Sequence, residues 1–427
     1  MPPLKYTQRT LDNGLRVIAL EDHAAPVAAI QVWYHVGGKD DPPQRSGFAH
    51  LFEHMMFKST KRMPSEMLDR LTEDVGGENN AYTAEDVTVY HEVIPAHHLE
   101  RLLWAEAERL ASLTVDGRNF TLEREVVKEE YRQTVLAQPF GQFYEYVPKQ
   151  SFTVHPYRNA VIGDIEQLDA ASLDEVRKFH DTFYRPDNAT LVVAGDFDPA
   201  KLQGWVDQYF APIPKPEAAI PRVTVKEPER KEGRTLRAYD EQVPVPALHV
   251  NFLGPAVTSP DRAAWQVLER VLSGGESSRL NHSLVYEQQL AQEAEFQSDL
   301  RMDLGLPGFT VILGGGVALE KARAALLAEI QKIITSPVSD RELTTAKNQL
   351  LSEKLHERET AAGKAEALAR AAVQLGDPEA ANRELADLQG VTAQQVLDVA
   401  KRCFTPENQL LIEYLPADMK PKTEEKK

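Results

Sequence analysis

His50 and His54 stand four residues apart in the stretch His50-Leu51-Phe52-Glu53-His54. On an α-helix, positions i and i+4 share a face, so the two imidazoles can offer ring nitrogens to a single ion. Glu53, three residues after His50, borders that face. Imidazole and carboxylate ligands suit zinc, and a reactive zinc site keeps one coordination position open to water. A carboxylate placed as Glu53 is can take a proton from that water, while the ion lowers the water's pKa and polarises a carbonyl. The residue order is the reverse of H-E-x-x-H. The pentapeptide supplies only two ligands, and paired histidines on a helix also occur as plain core or surface residues, so the reading needs a third ligand from elsewhere. The single cysteine, Cys403, excludes both a thiolate cluster and an intrachain disulfide.

The third ligand is sought in Leu122–Arg132 (LEREVVKEEYR), read as part of a helix over 122–137. Glu123 and Glu130 are seven residues apart, two helical turns, and so lie on nearly one line. Val126 and Val127 fall between them, which points this line toward a core, whereas Glu125, Lys128, Glu129 and Arg132 read as a solvated face. Glu130 is expected to bind the ion, and Glu123 to support a ligand by hydrogen bonding.

Around these residues the pattern alternates strands and helices. Leu15–Leu20 and Val27–Val36 are rich in β-branched and aromatic residues bounded by turn formers, and read as strands. A helix containing Ser46–Phe57 follows, then one near Ser65–Val75 that ends at Gly76-Gly77. Ala81–Val93 reads as strand, turn, strand, Leu99–Leu113 as a helix, and Leu191–Ala194 as a closing strand. Pro214–Arg234 is rich in proline and charge and reads as a linker. Beyond it the pattern weakly repeats: Leu236-Arg237 matches Leu15-Arg16, and Val245–Leu253 matches Val27–Val36. The helix Asp261–Leu272 falls where the His50 helix fell, but offers Gln266, Glu269 and Arg270 and no histidine. The expected fold is therefore α+β, with two homologous domains, each a mostly antiparallel sheet packed with helices. The division is 1–213 for the metal-binding domain, 214–234 for the linker, 235–420 for the non-catalytic copy and 421–427 for a disordered tail.

The chain resembles the pitrilysin/insulinase-type zinc peptidases, in particular short bacterial members and the catalytic subunit of mitochondrial processing peptidase. The resemblance spans nearly the whole chain and rests on Gly47–Met55, Gly76–Thr83 (GGENNAYT), Glu123 with Glu130, His155-Pro156-Tyr157, Tyr184–Ala189 and Gly195-Asp196. It implies an endopeptidase with one Zn2+ per chain, held by His50, His54 and Glu130, with Glu53 as base and later proton donor and Glu123 behind the site. It also implies that Gly76–Thr83 is an edge strand receiving extended peptide by β-augmentation, with Gly77, Asn80 and Ala81 contacting substrate and the last two near the scissile bond. Read without the resemblance, the same stretch is an ordinary glycine turn leading into a strand.

Family members carry an arginine and a tyrosine seven apart in the second half that grip the substrate. In one alignment Val285 and Gln292 occupy those places; in another, Arg279 and Tyr286 do. Absence of the pair implies a heterodimer with a homologous zinc-less chain, with a homodimer as the alternative, either of them admitting peptides and unfolded segments. A non-catalytic scaffold subunit on the same fold and a hydrolase of small non-peptide substrates are the competing classes. The formal charge of −17, from 65 acidic and 48 basic residues, argues against nucleic acid as a partner. No apolar run reaches the roughly 20 residues of a membrane helix, and Met1–Leu20 shows no signal-peptide pattern, so a cytoplasmic location is favoured, with the periplasm as the alternative if a leader was removed.

Overall fold

The computed structural model describes residues 2–421, so most of the expected tail, 422–427, lies outside the described residues. Among the described residues, the first sheet has six strands: β1 (Thr7–Thr10), β2 (Arg16–Glu21), β3 (Val27–Tyr34), β4 (Glu78–Thr83), β5 (Thr88–Pro95) and β6 (Ala189–Gly195). Their order is β1-β2-β6-β3-β5-β4. β2 and β6 run parallel, with Val17 opposite Leu191, and all other neighbours are antiparallel. The second sheet holds β7 (Arg234–Asp240), β8 (Ala247–Asn251), β9 (Ala291–Gln297), β10 (Gly308–Leu313) and β11 (Leu410–Pro416) in the order β7-β11-β8-β10-β9. Here one pair, β7 with β11, is parallel and the rest antiparallel. Omitting β1, the two sheets share one topology strand for strand, and the fold is α+β with two copies of one architecture.

The near-continuous apolar runs of β3 and β6 follow from cover on both faces of the first sheet. Side chains alternate along a strand. Ile30, Val32, Tyr34, Leu191 and Val193 therefore join the core beneath the His50 helix. Ala29, Trp33, Val192 and Ala194 join a separate core with Ala365, Leu368, Ala369 and Ala372. The last four lie on a helix, Ala361–Gln374, that follows the whole second sheet but one strand. Its alanine-rich face lets it sit close against the strands.

The described residues accordingly divide into two compact units. Among the described residues, one comprises 2–132, 155–226 and 355–382; the other comprises 133–154, 227–354 and 383–421. One crossing, at 226/227, falls inside the proline-rich linker, and the others lie at helix ends or loops in both halves of the chain. No described helix is long and apolar enough to cross a membrane.

Candidate metal centre

The motif helix spans Phe48–Met55. Gly47 precedes it at φ 97, and a Cβ there would stand 2.9 Å from Gly163 Cα, so the close approach requires glycine. The buried Asp41 carboxylate accepts from the backbone N–H of Gly47 (2.6 Å) and of Ala49 (2.9 Å), fixing the helix start. Burial pushes the Asp41 carboxyl up to about 8, although those backbone bonds favour the ionised form. Phe48, Leu51, Phe52 and Met55 are buried in the core, which turns His50 and His54 to the remaining face.

The carboxylate helix spans Gly117–Tyr131 and starts earlier than its apolar pattern suggests, because Asp116 caps it by accepting from Asn119 N at 2.8 Å. It leaves α geometry over Arg132–Leu136, within the stretch expected as continuous helix. Two details of its expected faces are corrected. Val126 is exposed and Lys128 is buried. The buried arc runs through Phe120, Glu123 and Val127, which leaves Val126 on its far flank. Lys128 buries its stem and bonds Asp169 at 2.8 Å and Glu125 at 3.2 Å through its ammonium.

The two helices bring His50, His54 and Glu130 together. His54 Nε2 lies 3.2 Å and His50 Nε2 3.7 Å from Glu130 Oε2. The imidazoles meet edge to face, with ring centroids 4.9 Å apart. Among the described residues these three form a group whose ligand atoms all lie within 4.8 Å of one another. A tetrahedral zinc with bonds of about 2.0–2.1 Å spaces its ligand atoms about 3.3–3.4 Å apart, so the residues present fit such an ion. Burial, reinforced by His54, lowers the His50 pKa to about 4, leaving a neutral ring with a lone pair to donate. Glu130 is held below the usual carboxylate range, first by its hydrogen bond with His54.

Glu53 is half-buried, and burial raises its pKa, while the bond from Thr83 Oγ1 to its Oε2 (2.7 Å) acts in the other direction. Glu123 is buried, and its Oε2 lies 3.8 Å from His54 Nδ1, beyond hydrogen-bond length. Its closest charged neighbour is Lys58, whose Nζ stands 2.9 Å from Oε1. Lys58 and Asp41 were not singled out from sequence. Lys58 follows His54 by four residues, and that spacing was the available signal.

β4 is an edge of its sheet, paired only with β5. Thr83 and Ala81 share the face toward the motif helix: Thr83 bonds Glu53, and Ala81 packs against the first core. Asn80 lies on the alternate face and turns its Oδ1 onto the Ala81 N–H at 2.8 Å. Gly77 enters the strand where a Cβ would stand 2.6 Å from Val93 O, and its N–H bonds Thr72 O at 2.9 Å. Asn79 Nδ2 bonds Thr72 Oγ1 at 2.5 Å, tying the strand to the helix Met67–Glu73. In the second unit, Arg279 is held by Glu342 through two bonds of 2.5 and 3.0 Å, Val285 is half-buried, and Tyr286 and Gln292 are exposed.

Residues 16–164 match the family model described as insulinase (peptidase family M16), and residues 170–350 match the one described as the peptidase M16 inactive domain. The chain belongs to peptidase family M16. Within M16 it is 31% identical over 335 residues to the zinc protease PqqE of Helicobacter pylori, covering 77% of this chain and 75% of that one. It is 25% identical to a probable mitochondrial-processing peptidase subunit beta of Arabidopsis thaliana, covering 80% and 66%. A crystal structure of a protease from Helicobacter pylori superposes on this M16 chain with a TM-score of 0.94 at 26% identity, covering 97% and 100%.

Proposed function

We propose that this M16 chain is a zinc-dependent endopeptidase that hydrolyses peptides and unfolded segments. The observation that carries the reading is the meeting of His50, His54 and Glu130 at one point, with Glu53 beside it and bonded to the edge strand β4. When bound there, zinc would supply Lewis-acid polarisation of the scissile carbonyl and a more acidic water. The three ligands would be His50 Nε2, His54 Nε2 and a Glu130 oxygen.

The chain's own groups do the rest. A peptide extended along β4 pairs backbone to backbone, so its binding depends weakly on side chains. Gly77, Asn80 and Ala81 are proposed to border it. The Ala81 N–H, held by Asn80 in the free strand, becomes available to a pairing peptide when that side chain turns away. Thr83 holds one oxygen of Glu53, leaving Oε1 to take the proton of the attacking water and pass it to the departing amine. Glu123, anchored by Lys58, places negative charge behind His54.

The working enzyme is proposed as a heterodimer with a homologous zinc-less chain. Arg279, the one arginine available for a substrate clamp in the second-half stretch, is already engaged by Glu342, and one relative is named a subunit. The test is a fluorogenic peptide assay of the chain alone and co-expressed with such a homologue, with Glu53→Gln beside the parent. Turnover is expected to fall about 10²–10⁴-fold in the variant while zinc stays at one per chain. A parent that holds zinc yet cleaves no peptide in either setting would instead favour a scaffold role.

A further inference from the structure

Tyr90 is wholly buried on β5, opposite Ala81 of the edge strand. Its hydroxyl donates to the Phe52 carbonyl at 3.1 Å. Phe52 immediately precedes Glu53, and its carbonyl already accepts the helical bond from Met56 N at 3.0 Å. The Tyr90 bond is therefore surplus to helix formation and ties the motif helix sideways to the sheet.

Over the Tyr90 ring lies the guanidinium of Arg109, 4.3 Å from the centroid, with Phe57 on another side at 5.7 Å. Arg109 Nη2 bonds both oxygens of Glu106 at 2.6 Å and approaches Glu92 Oε1 at 3.3 Å. All three charged residues are at most 2% exposed. Burial drives the Glu92 pKa far upward, and the neighbouring Glu106 adds to the rise. Well-packed apolar side chains would fill this space at similar or lower free-energy cost, so stability alone does not account for a buried ionic group. A cation against the π-face has another effect: it draws electron density from the phenol and strengthens its O–H as a donor.

We propose that Tyr90, braced by Arg109, is a positioning residue that sets the distance between the substrate-receiving strand and the base Glu53. This inference rests on the peptidase reading above. The hairpin β4–β5 and the helix are then fastened at two points: Thr83 of β4 to Glu53 at the open end, and Tyr90 of β5, paired opposite Ala81, to Phe52 in the interior. With the interior bond missing, the helix gains freedom to shift against β4 and β5, moving Glu53 and both histidines together relative to the peptide.

The test is Tyr90→Phe in the full-length, zinc-loaded chain with whatever partner activity requires. Phenylalanine keeps the ring under Arg109 and so preserves packing. The expected result is a kcat lower by about tenfold or more, since an ångström-scale misplacement costs about a hundredfold, with KM and zinc content unchanged. Replacement of zinc by cobalt(II) gives a second readout: the visible absorption bands of the variant should differ from the parent's as the ligand geometry relaxes. A kcat per bound metal and a cobalt spectrum equal to the parent's would overturn the proposal, even if the melting temperature fell, because a purely structural bond moves only the last. If the parent itself cleaves no peptide, the peptidase reading fails on that result, and the cobalt spectrum, which needs no turnover, still decides the positioning role.

Discussion

The two units repeat one strand order and differ in what joins the same two helices. In the first unit, the first α-helix after β3 (Phe48–Met55) and the second α-helix after the hairpin β4–β5 (Gly117–Tyr131) meet through His50, His54 and Glu130. In the second, the helix Arg262–Ser273 precedes the hairpin β9–β10, and the second helix after it is Asp340–Glu357. There Arg270 pairs directly with Glu353. An arginine–glutamate pair brings its own cation and closes the gap without an ion. In the first unit two imidazoles instead face one carboxylate, with ligand atoms all within 4.8 Å of one another. The comparison teaches that one architecture closes this point with a salt bridge in one unit and sets three potential metal ligands against one another in the other. Glu269, on the same helix as Arg270, is likewise put to structural use, accepting from the Ser298 N–H at 2.9 Å and its Oγ at 2.5 Å.

This contrast can be broken by substitution. The largest effect is expected from His50→Ala, which should take zinc from one per chain to near zero in elemental analysis and abolish peptide hydrolysis; retained stoichiometric zinc would refute the ligand assignment. An intermediate effect is expected from Glu123→Gln. Removing its charge from behind His54 should weaken zinc binding about 10–100-fold in competition with a chelator, the usual range for groups that support a ligand. Unchanged affinity would limit Glu123 to its ion pair with Lys58. The smallest effect is expected from Arg270→Ala, which breaks a partly exposed pair and should cost about 0–1 kcal/mol in denaturant unfolding. A loss comparable to stripping the metal from the first unit would mean that the two cross-links are equally essential.

Much of this was legible in the sequence because it is local and periodic. The i, i+4 histidines and the seven-residue spacing of Glu123 and Glu130 both mark helix faces, and the structure places those faces toward each other. The repeat was legible from Val27–Val36 and Val245–Leu253, which became β3 and β8. Features set by distant contacts were not. Nothing near Leu122–Arg132 reveals that Asp169 stands ready to bury Lys128, or that Val126 looks to solvent. The parallel pairing of β2 with β6 joins segments some 170 residues apart and leaves no local mark. Asp41 reads as one more loop acid until the start of the motif helix is seen to close over it.

The helix Ala361–Gln374 closes the rear of the first sheet with Ala365, Leu368, Ala369 and Ala372 against Trp33 and Val192. The residues that cover that face stand at Ala361–Gln374, far along the chain from strands β2 to β6. The half that carries His50, His54 and Glu130 is thus no detachable cassette: a gene cut at the proline-rich linker would yield a fragment without the helix that covers this face of its sheet. Insertion of that half into another scaffold would have to carry the distant helix with it.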